Sequence, residues 1–183
     1  MASFADKPTI RGTRVVLRPM VADDAGDMWN DLADEEAMRL TGTQEQFDRA
    51  TIDRWAATRS ATDDRLDLAV VDPSTGEWLG EVVINDVDLD NRSCNFRIAL
   101  SAHARDRGAG TEATALIVDY VFDEIDPPMN RISLGVFAFN PRAIAVYERV
   151  GFVREGVARE ALRWGDEFVD EIRMAVLRSD RRG

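Results

Sequence analysis

The sequence predicts a single mixed α/β domain of α+β type, a mostly antiparallel sheet flanked by helices in the order β-α-α-β-β-β-α-β-α-β-β. Three observations lead there: apolar residues alternate with period two in the middle and at the end of the chain, segments of period 3.6 interrupt those runs, and no repeat, linker or biased stretch divides the 183 residues. One domain of this length buries roughly 70% of the surface its unfolded chain exposes. With 45% of its residues hydrophobic, the chain has the apolar content for such a core.

The elements follow in order. Thr13 to Met20 is the first strand, where Val15 and Leu17 alternate with Val16 and Arg18 before Pro19. Asp23 and Asp24 sit where a helix cap belongs, ahead of Ala25, Met28, Trp29 and Leu32 at helical spacing. A second helix covers Phe47 to Ser60, and the segment Asp34 to Gly42 before it reads as a loop. Leu66, Leu68 and Val70 then open a meander that turns at Asp72 to Gly76 and resumes from Trp78 to Ile84. Asn85 to Asn91 is a polar loop, and Cys94, Phe96, Ile98 and Leu100 form one face of the third meander strand. Short turns make these strands antiparallel.

The period then changes. Ala113, Leu116, Ile117, Tyr120 and Val121 mark an amphipathic helix that Asp126-Pro127-Pro128 breaks. Arg131 to Phe139 is a strand. Asn140 caps and Pro141 opens a helix carrying Ala143, Val146, Tyr147 and Val150, stopped by Gly151. Strands from Val153 to Trp164 and Glu167 to Leu177 flank a Gly165-Asp166 hairpin turn.

Charge narrows the function. Lys+Arg 23 against Asp+Glu 34 gives a net charge of -11, which repels nucleic-acid phosphates and suits a cationic partner. Lys7 is the sole lysine, and Cys94, the only cysteine, excludes a disulfide framework and a cysteine-based zinc site. No stretch approaches the ~20 apolar residues of a membrane span, and the first residues lack the apolar core of a signal peptide, so a cytoplasmic protein is expected. No His/Cys/Asp cluster has ligand spacing, so no metal is implied.

The most informative stretch is Arg105-Asp106-Arg107-Gly108-Ala109-Gly110-Thr111, between a strand and a helix. Two glycines at a helix N-terminus let the backbone approach a ligand, and free N–H groups with the helix dipole favour an anion. Arg105 and Arg107 add positive charge there, so the loop is expected to bind a phosphate or pyrophosphate. The same glycines match the dinucleotide pattern G-x-G-x-x-A, but the next strand ends in Phe137-Ala138-Phe139 without an acid, which argues against nicotinamide.

Arg105-x-x-Gly108-x-Gly110, followed by Asn140-x-x-Ala143-x-x-x-Tyr147-Glu148-x-x-Gly151-Phe152, resembles the GNAT (GCN5-related) N-acetyltransferase superfamily. Arg14-Val15-Val16-Leu17-Arg18-Pro19 matches as well, and the hairpin Trp164 to Asp170 resembles the RimJ/RimL-like branch. The resemblance covers nearly the whole chain. It implies acetyl transfer from acetyl-CoA, as co-substrate, to a primary amine. Backbone amides from Arg105 to Thr111 would bind the CoA pyrophosphate. The strand through Ala99 and Leu100 and the strand ending at Phe139 would splay to admit the pantetheine arm, which Asn140 would hydrogen-bond. Tyr147 would serve as general acid for the departing thiolate.

Many relatives carry a glutamate base on the third meander strand, where Asn95 stands here, and asparagine takes no proton at neutral pH. Glu81, or Asp86 at the end of the same strand, is left as the candidate base, acting directly or through water. Glu35 and Glu36 are candidates for holding an ammonium group of the acceptor. A peptide or ribosomal-protein N-terminal amine is the first expectation. A polyamine- or aminoglycoside-type amine, and a non-catalytic acyl-CoA-binding domain, are the alternatives. Relatives in this branch often form homodimers, although no residue marks an interface. His103 reads as a solvated loop histidine, Cys94 as a buried structural thiol, and Asp86, Asp88 and Asp90 as a solvated acidic run.

Overall fold

The computed structural model describes residue 4 and residues 6–182 of the chain. Eight strands form one sheet: β1 (Ile10–Arg11), β2 (Val16–Pro19), β3 (Leu66–Val71), β4 (Trp78–Asp88), β5 (Ser93–Leu100), β6 (Arg131–Phe137), β7 (Val153–Trp164) and β8 (Glu167–Leu177). Five α-helices accompany them: α1 (Ala25–Asp31), α2 (Glu35–Thr41), α3 (Arg49–Thr58), α4 (Ala109–Asp123) and α5 (Pro141–Val150). The sheet order is β1-β2-β3-β4-β5-β6-β8-β7, and every neighbouring pair is antiparallel except β5 with β6. The predicted fold class holds, and the predicted element order gains two short members.

Those two additions have local causes. The turn after β1 closes when the Gly12 amide donates to the Val15 carbonyl at 2.9 Å, making a hairpin too short for a periodic signal. The segment Asp34 to Gly42, expected as a loop, is α2 with its flanking caps. The Asp34 side chain accepts from the Glu36 amide at 2.9 Å, and Gly42 ends the helix at φ 67. A third correction extends β4 to Asp88. Asn85 pairs with Asn95 across the ladder, and Asp86, at φ 50, lies in a register shift before Asp88 meets Ser93.

The main core lies between the sheet and α4 and α5. Phe96, Ile84 and Ile132 meet Ala113, Ile117, Val121 and Phe122 of α4 there, all almost wholly buried. Removing one of the large side chains costs about 3–5 kcal/mol by general precedent. Cys94 belongs to this core, and burial pushes its thiol up to about 12, consistent with an inert structural role. On the other face, Val16, Ala69, Val71 and Trp78 pack with Met28 of α1.

One feature of the sheet positions the site. β5 and β6 pair at Ser93–Arg131, Cys94–Ile132 and Asn95–Ser133, and no further. Beyond that point β5 runs on to Leu100 paired only with β4, and β6 to Phe137 paired only with β8, so the parallel pair opens toward the start of α4 and the start of α5. The helix α2 contacts both strands at this opening.

Candidate active site

The loop after β5 is held from several sides. Asp31, ending α1, accepts from Trp78 Nε1 at 2.8 Å and from the buried Ser101 hydroxyl at 2.9 Å, which fixes the chain as it leaves β5. The half-exposed His103 brings Nε2 within 3.1 Å of the Trp78 carbonyl. Arg105 then turns inward, with its side chain 12% exposed, and its Nε donates to the Leu100 carbonyl at 3.1 Å. Its two terminal nitrogens meet Asp34 at 2.7 Å and Glu36 at 2.9 Å. The charge of Arg105 is therefore matched within the fold, and the positive charge presented by the loop comes from the exposed Arg107. Desolvation raises the Asp34 carboxyl, but hydrogen bonds from Arg105 and the amides of Ala37 and Glu36 outweigh it and hold the carboxyl below its ordinary value.

Past Arg107 the backbone is arranged for an anion. Asp106 and Gly108 have φ of 62 and 83, and α4 begins at Ala109 with no side-chain cap. Among the described residues, the amides of Gly108, Ala109, Gly110 and Thr111 find no acceptor in the chain. A Cβ at Gly110 would stand 3.1 Å from Leu100 Cδ1, so helix and strand meet closely there. Four free donors at the positive end of a 15-residue helix suit a pyrophosphate. Beside them, Arg14, Arg107 and Arg149 line a cleft of about 480 Å³.

The other side of the opening carries Asn140 and Tyr147. Asn140 caps α5, its Oδ1 accepting from the Ala143 amide at 3.1 Å, and its side chain lines a second cleft of about 410 Å³ with Arg39, Phe139 and Arg142. Arg39 lies 4.8 Å from the centre of the Phe139 ring, which stacks on Phe137. Tyr147 is 7% exposed, edge-on to Phe96 at 6.3 Å and tilted against Phe152 at 5.8 Å. Among the described residues its hydroxyl makes no hydrogen bond, and since no fully buried side-chain oxygen there lacks a partner, the hydroxyl keeps access to solvent while burial of the ring pushes its pKa up to about 12. The phenol is thus protonated at neutral pH.

The candidate carboxylates separate into two groups. Glu36 also meets Arg142 at 3.0 Å, so its two oxygens serve two guanidinium groups, whereas Glu35 is exposed beside it. Glu81 is half-buried on the sheet face opposite the main core and pairs with Ala99. Desolvation and the neighbouring Asp67 raise its carboxyl, against the pull of Arg97, Arg59 and Arg65. Asn95 donates to Asn85 at 2.9 Å on the same face, and Asp86 is exposed at the register shift.

Two residues at the site escaped sequence reasoning. Glu171 of β8 pairs with Phe137, and its carboxylate lies across Gly135, where a Cβ would come within 2.3 Å of Oε1. Strand parity places it opposite the core-facing Ile172 and Met174, a signal present in the sequence but meaningless until β8 is known to adjoin β6. Arg149, in the last turn of α5, had no sequence signal at all.

The chain is similar to several known proteins. A Bacillus subtilis protein named Probable N-acetyltransferase YjcK is 36% identical over 74 residues, 40% of this chain and 40% of its own length. The Vibrio cholerae spermidine N(1)-acetyltransferase is 28% identical over 110 residues, 60% of this chain and 62% of its own length. The matches thus span about half the length of these curated relatives. The crystal structure of a Vibrio cholerae spermidine N-acetyltransferase in complex with CoA and spermine superposes with a TM-score of 0.85 at 21% identity, covering 94% of this chain and 100% of that one, a likeness of fold. Residues 14–153, more than three quarters of the chain, match the acetyltransferase (GNAT) domain, and the chain belongs to that family.

Proposed function

We propose that this enzyme acetylates one amine of a small polycation of the polyamine type. The observation that carries the reading is the placement of Glu81 and Glu171. They lie on one face of the sheet, opposite Ala99 of β5 and Phe137 of β6, at the level where those strands have parted. Two carboxylates on either side of one opening suit an acceptor with more than one positive charge, in a chain already at -11. The similarity to spermidine acetyltransferases supports the same choice.

Acetyl-CoA supplies the thioester whose carbonyl the amine attacks. The four free amides from Gly108 to Thr111, with Arg107 beside them, hold its pyrophosphate, and the strands through Ala99 and Leu100 and through Phe137 flank its pantetheine arm. Asn140 offers that arm its Nδ2, its Oδ1 being engaged in capping α5. An arriving ammonium must lose a proton before it attacks, and Glu81, whose raised pKa makes it a better acceptor than an ordinary glutamate, takes it directly or through water. Tyr147 keeps a proton on its hydroxyl for the departing sulfur. Glu35 draws the cation toward the rim, and Glu36 shapes that rim through Arg105 and Arg142.

A second reading, acetylation of a peptide or ribosomal-protein N-terminus as in the RimJ/RimL-like branch, rests on the hairpin Trp164 to Asp170. Thiol release from acetyl-CoA, measured with spermidine, a diamine and short peptides with free N-termini, separates the two. Spermidine is expected to give the highest kcat/KM, and Tyr147→Phe to lower kcat with it by about 100-fold. A preference for the peptides would replace the polyamine reading with the peptide one.

A further inference from the structure

The acetyl-transfer chemistry leaves one unusual cluster unused. Glu112, in the first turn of α4, receives four hydrogen bonds from the turn joining β1 and β2. They come from the Thr13 amide at 3.0 Å, the Thr13 hydroxyl at 2.6 Å, the Arg14 amide at 2.6 Å and the Val15 amide at 2.9 Å. Three successive amides converging on one carboxylate form an anion nest, filled by a side chain of the protein itself. Gly12 makes the approach possible, since a Cβ there would lie 2.7 Å from Glu112 Oε2. Desolvation raises the Glu112 carboxyl, but these hydrogen bonds outweigh it and hold it below its ordinary value.

The clamp fixes what comes next in the turn. The side chain of Arg14 lies across Gly108, where a Cβ would stand 3.4 Å from its Cδ and 3.5 Å from its Nε. Arg14 thereby becomes one wall of the cleft that Arg107 and Arg149 complete. Among the described residues, none of these three guanidinium groups meets a carboxylate within salt-bridge distance, whereas Arg105 and Arg142 each meet two. The one carboxylate lining the cleft is Glu112, and the turn amides occupy it. Three guanidinium groups left together in so acidic a chain call for an anion beyond the pyrophosphate, which has the helix amides. CoA carries one, the phosphate monoester on its ribose.

Resting on the acetyl-CoA reading above, we propose that the Arg14–Arg107–Arg149 cleft takes the ribose phosphate of CoA, and that Glu112 is the positioning residue that holds Arg14 there. The chain then selects CoA over dephospho-CoA, which keeps the pyrophosphate and lacks the monoester.

Calorimetric titration of the full chain with CoA and with dephospho-CoA tests this directly. The expected result is a Kd for CoA lower by roughly tenfold or more, with the ratio shrinking as salt is raised. Arg14→Ala and Glu112→Gln are each expected to bring the ratio toward one, and Arg14→Lys to restore part of it. A merely structural role for Glu112 would weaken both ligands alike and leave the ratio intact. Arg14 is exposed, so its replacement decides the matter if Glu112→Gln fails to fold. Equal affinities in the unaltered chain, or a ratio indifferent to Arg14→Ala, overturn the proposal and leave the acetyl-CoA reading standing. Failure of both ligands to bind would overturn that reading as well.

Discussion

Arg105 and Arg107 are two residues apart in one loop, and they have opposite fates. Arg105 is turned under the loop, bonded to Asp34, Glu36 and the Leu100 carbonyl, and it ties α2 to the end of β5. Arg107 stays exposed and lines a cleft with Arg14 and Arg149. The division extends beyond the loop. On the α2 side, Arg142 and Arg39 are also matched, to Asp106 and Glu36 and to Glu167. On the α4 side, the arginines are left for a ligand. The difference shows that an arginine in a glycine-rich loop is as readily a structural staple as a binding group. What decides between them is which carboxylates the fold brings within reach.

The largest effect is expected at Arg105. Arg105→Ala leaves Asp34 and the Leu100 carbonyl without their partner beneath the loop, and is expected to cost about 2 kcal/mol. In a protein of this size that lowers Tm by about 4–8 °C. Arg107→Ala is expected to change Tm little while weakening the binding of acetyl-CoA. Thermal unfolding of the two variants without ligand checks the contrast, and equal losses of Tm would erase it.

A smaller effect is expected with pH. Asp34 and Glu112 anchor the two sides, and both carboxyls are held below their ordinary values of 3.8 and 4.5. A depressed carboxyl stabilises the fold fully above its unfolded pKa and loses that contribution as pH falls through its folded value. Unfolding between pH 7 and pH 3 should therefore show Tm falling below about pH 4.5, less steeply in Glu112→Gln than in the unaltered chain.

The same contrast separates what was legible in the sequence from what was not. Val153–Trp164, Glu167–Leu177 and the span of α5 were read to the residue because their limits are set locally, by the turn at Gly165-Asp166, the cap at Asn140 and the stop at Gly151. The helix α2 was missed although Asp34 and Gly42 flank it correctly. It buries no residue, so it shows no apolar period, and Arg105, which bonds Asp34 and Glu36, lies 71 and 69 residues away. The end of β4 reads as a loop because Asn85, Asp86 and Asp88 dominate it, although Val87 packs against the main core and Asn85 and Asp88 pair with Asn95 and Ser93. For the site, the Arg105 to Thr111 loop and Tyr147 stood out through their spacing. The cleft of Arg14, Arg107 and Arg149 did not, because it is assembled from a hairpin turn, a loop and the far end of a helix.

The most direct measurement of the central claim is the thermal unfolding of the unaltered chain and of Gly108→Val, each with and without saturating acetyl-CoA. A ligand at 100 times its Kd stabilises by about 2.7 kcal/mol, a shift of roughly 5–10 °C at this size. That shift is expected in the unaltered chain. Little or none is expected in Gly108→Val, where a branched side chain is forced into a left-handed backbone at φ 83, beside the free amides. No shift in the unaltered chain, or the same shift in both, would contradict the placement of acetyl-CoA at the start of α4.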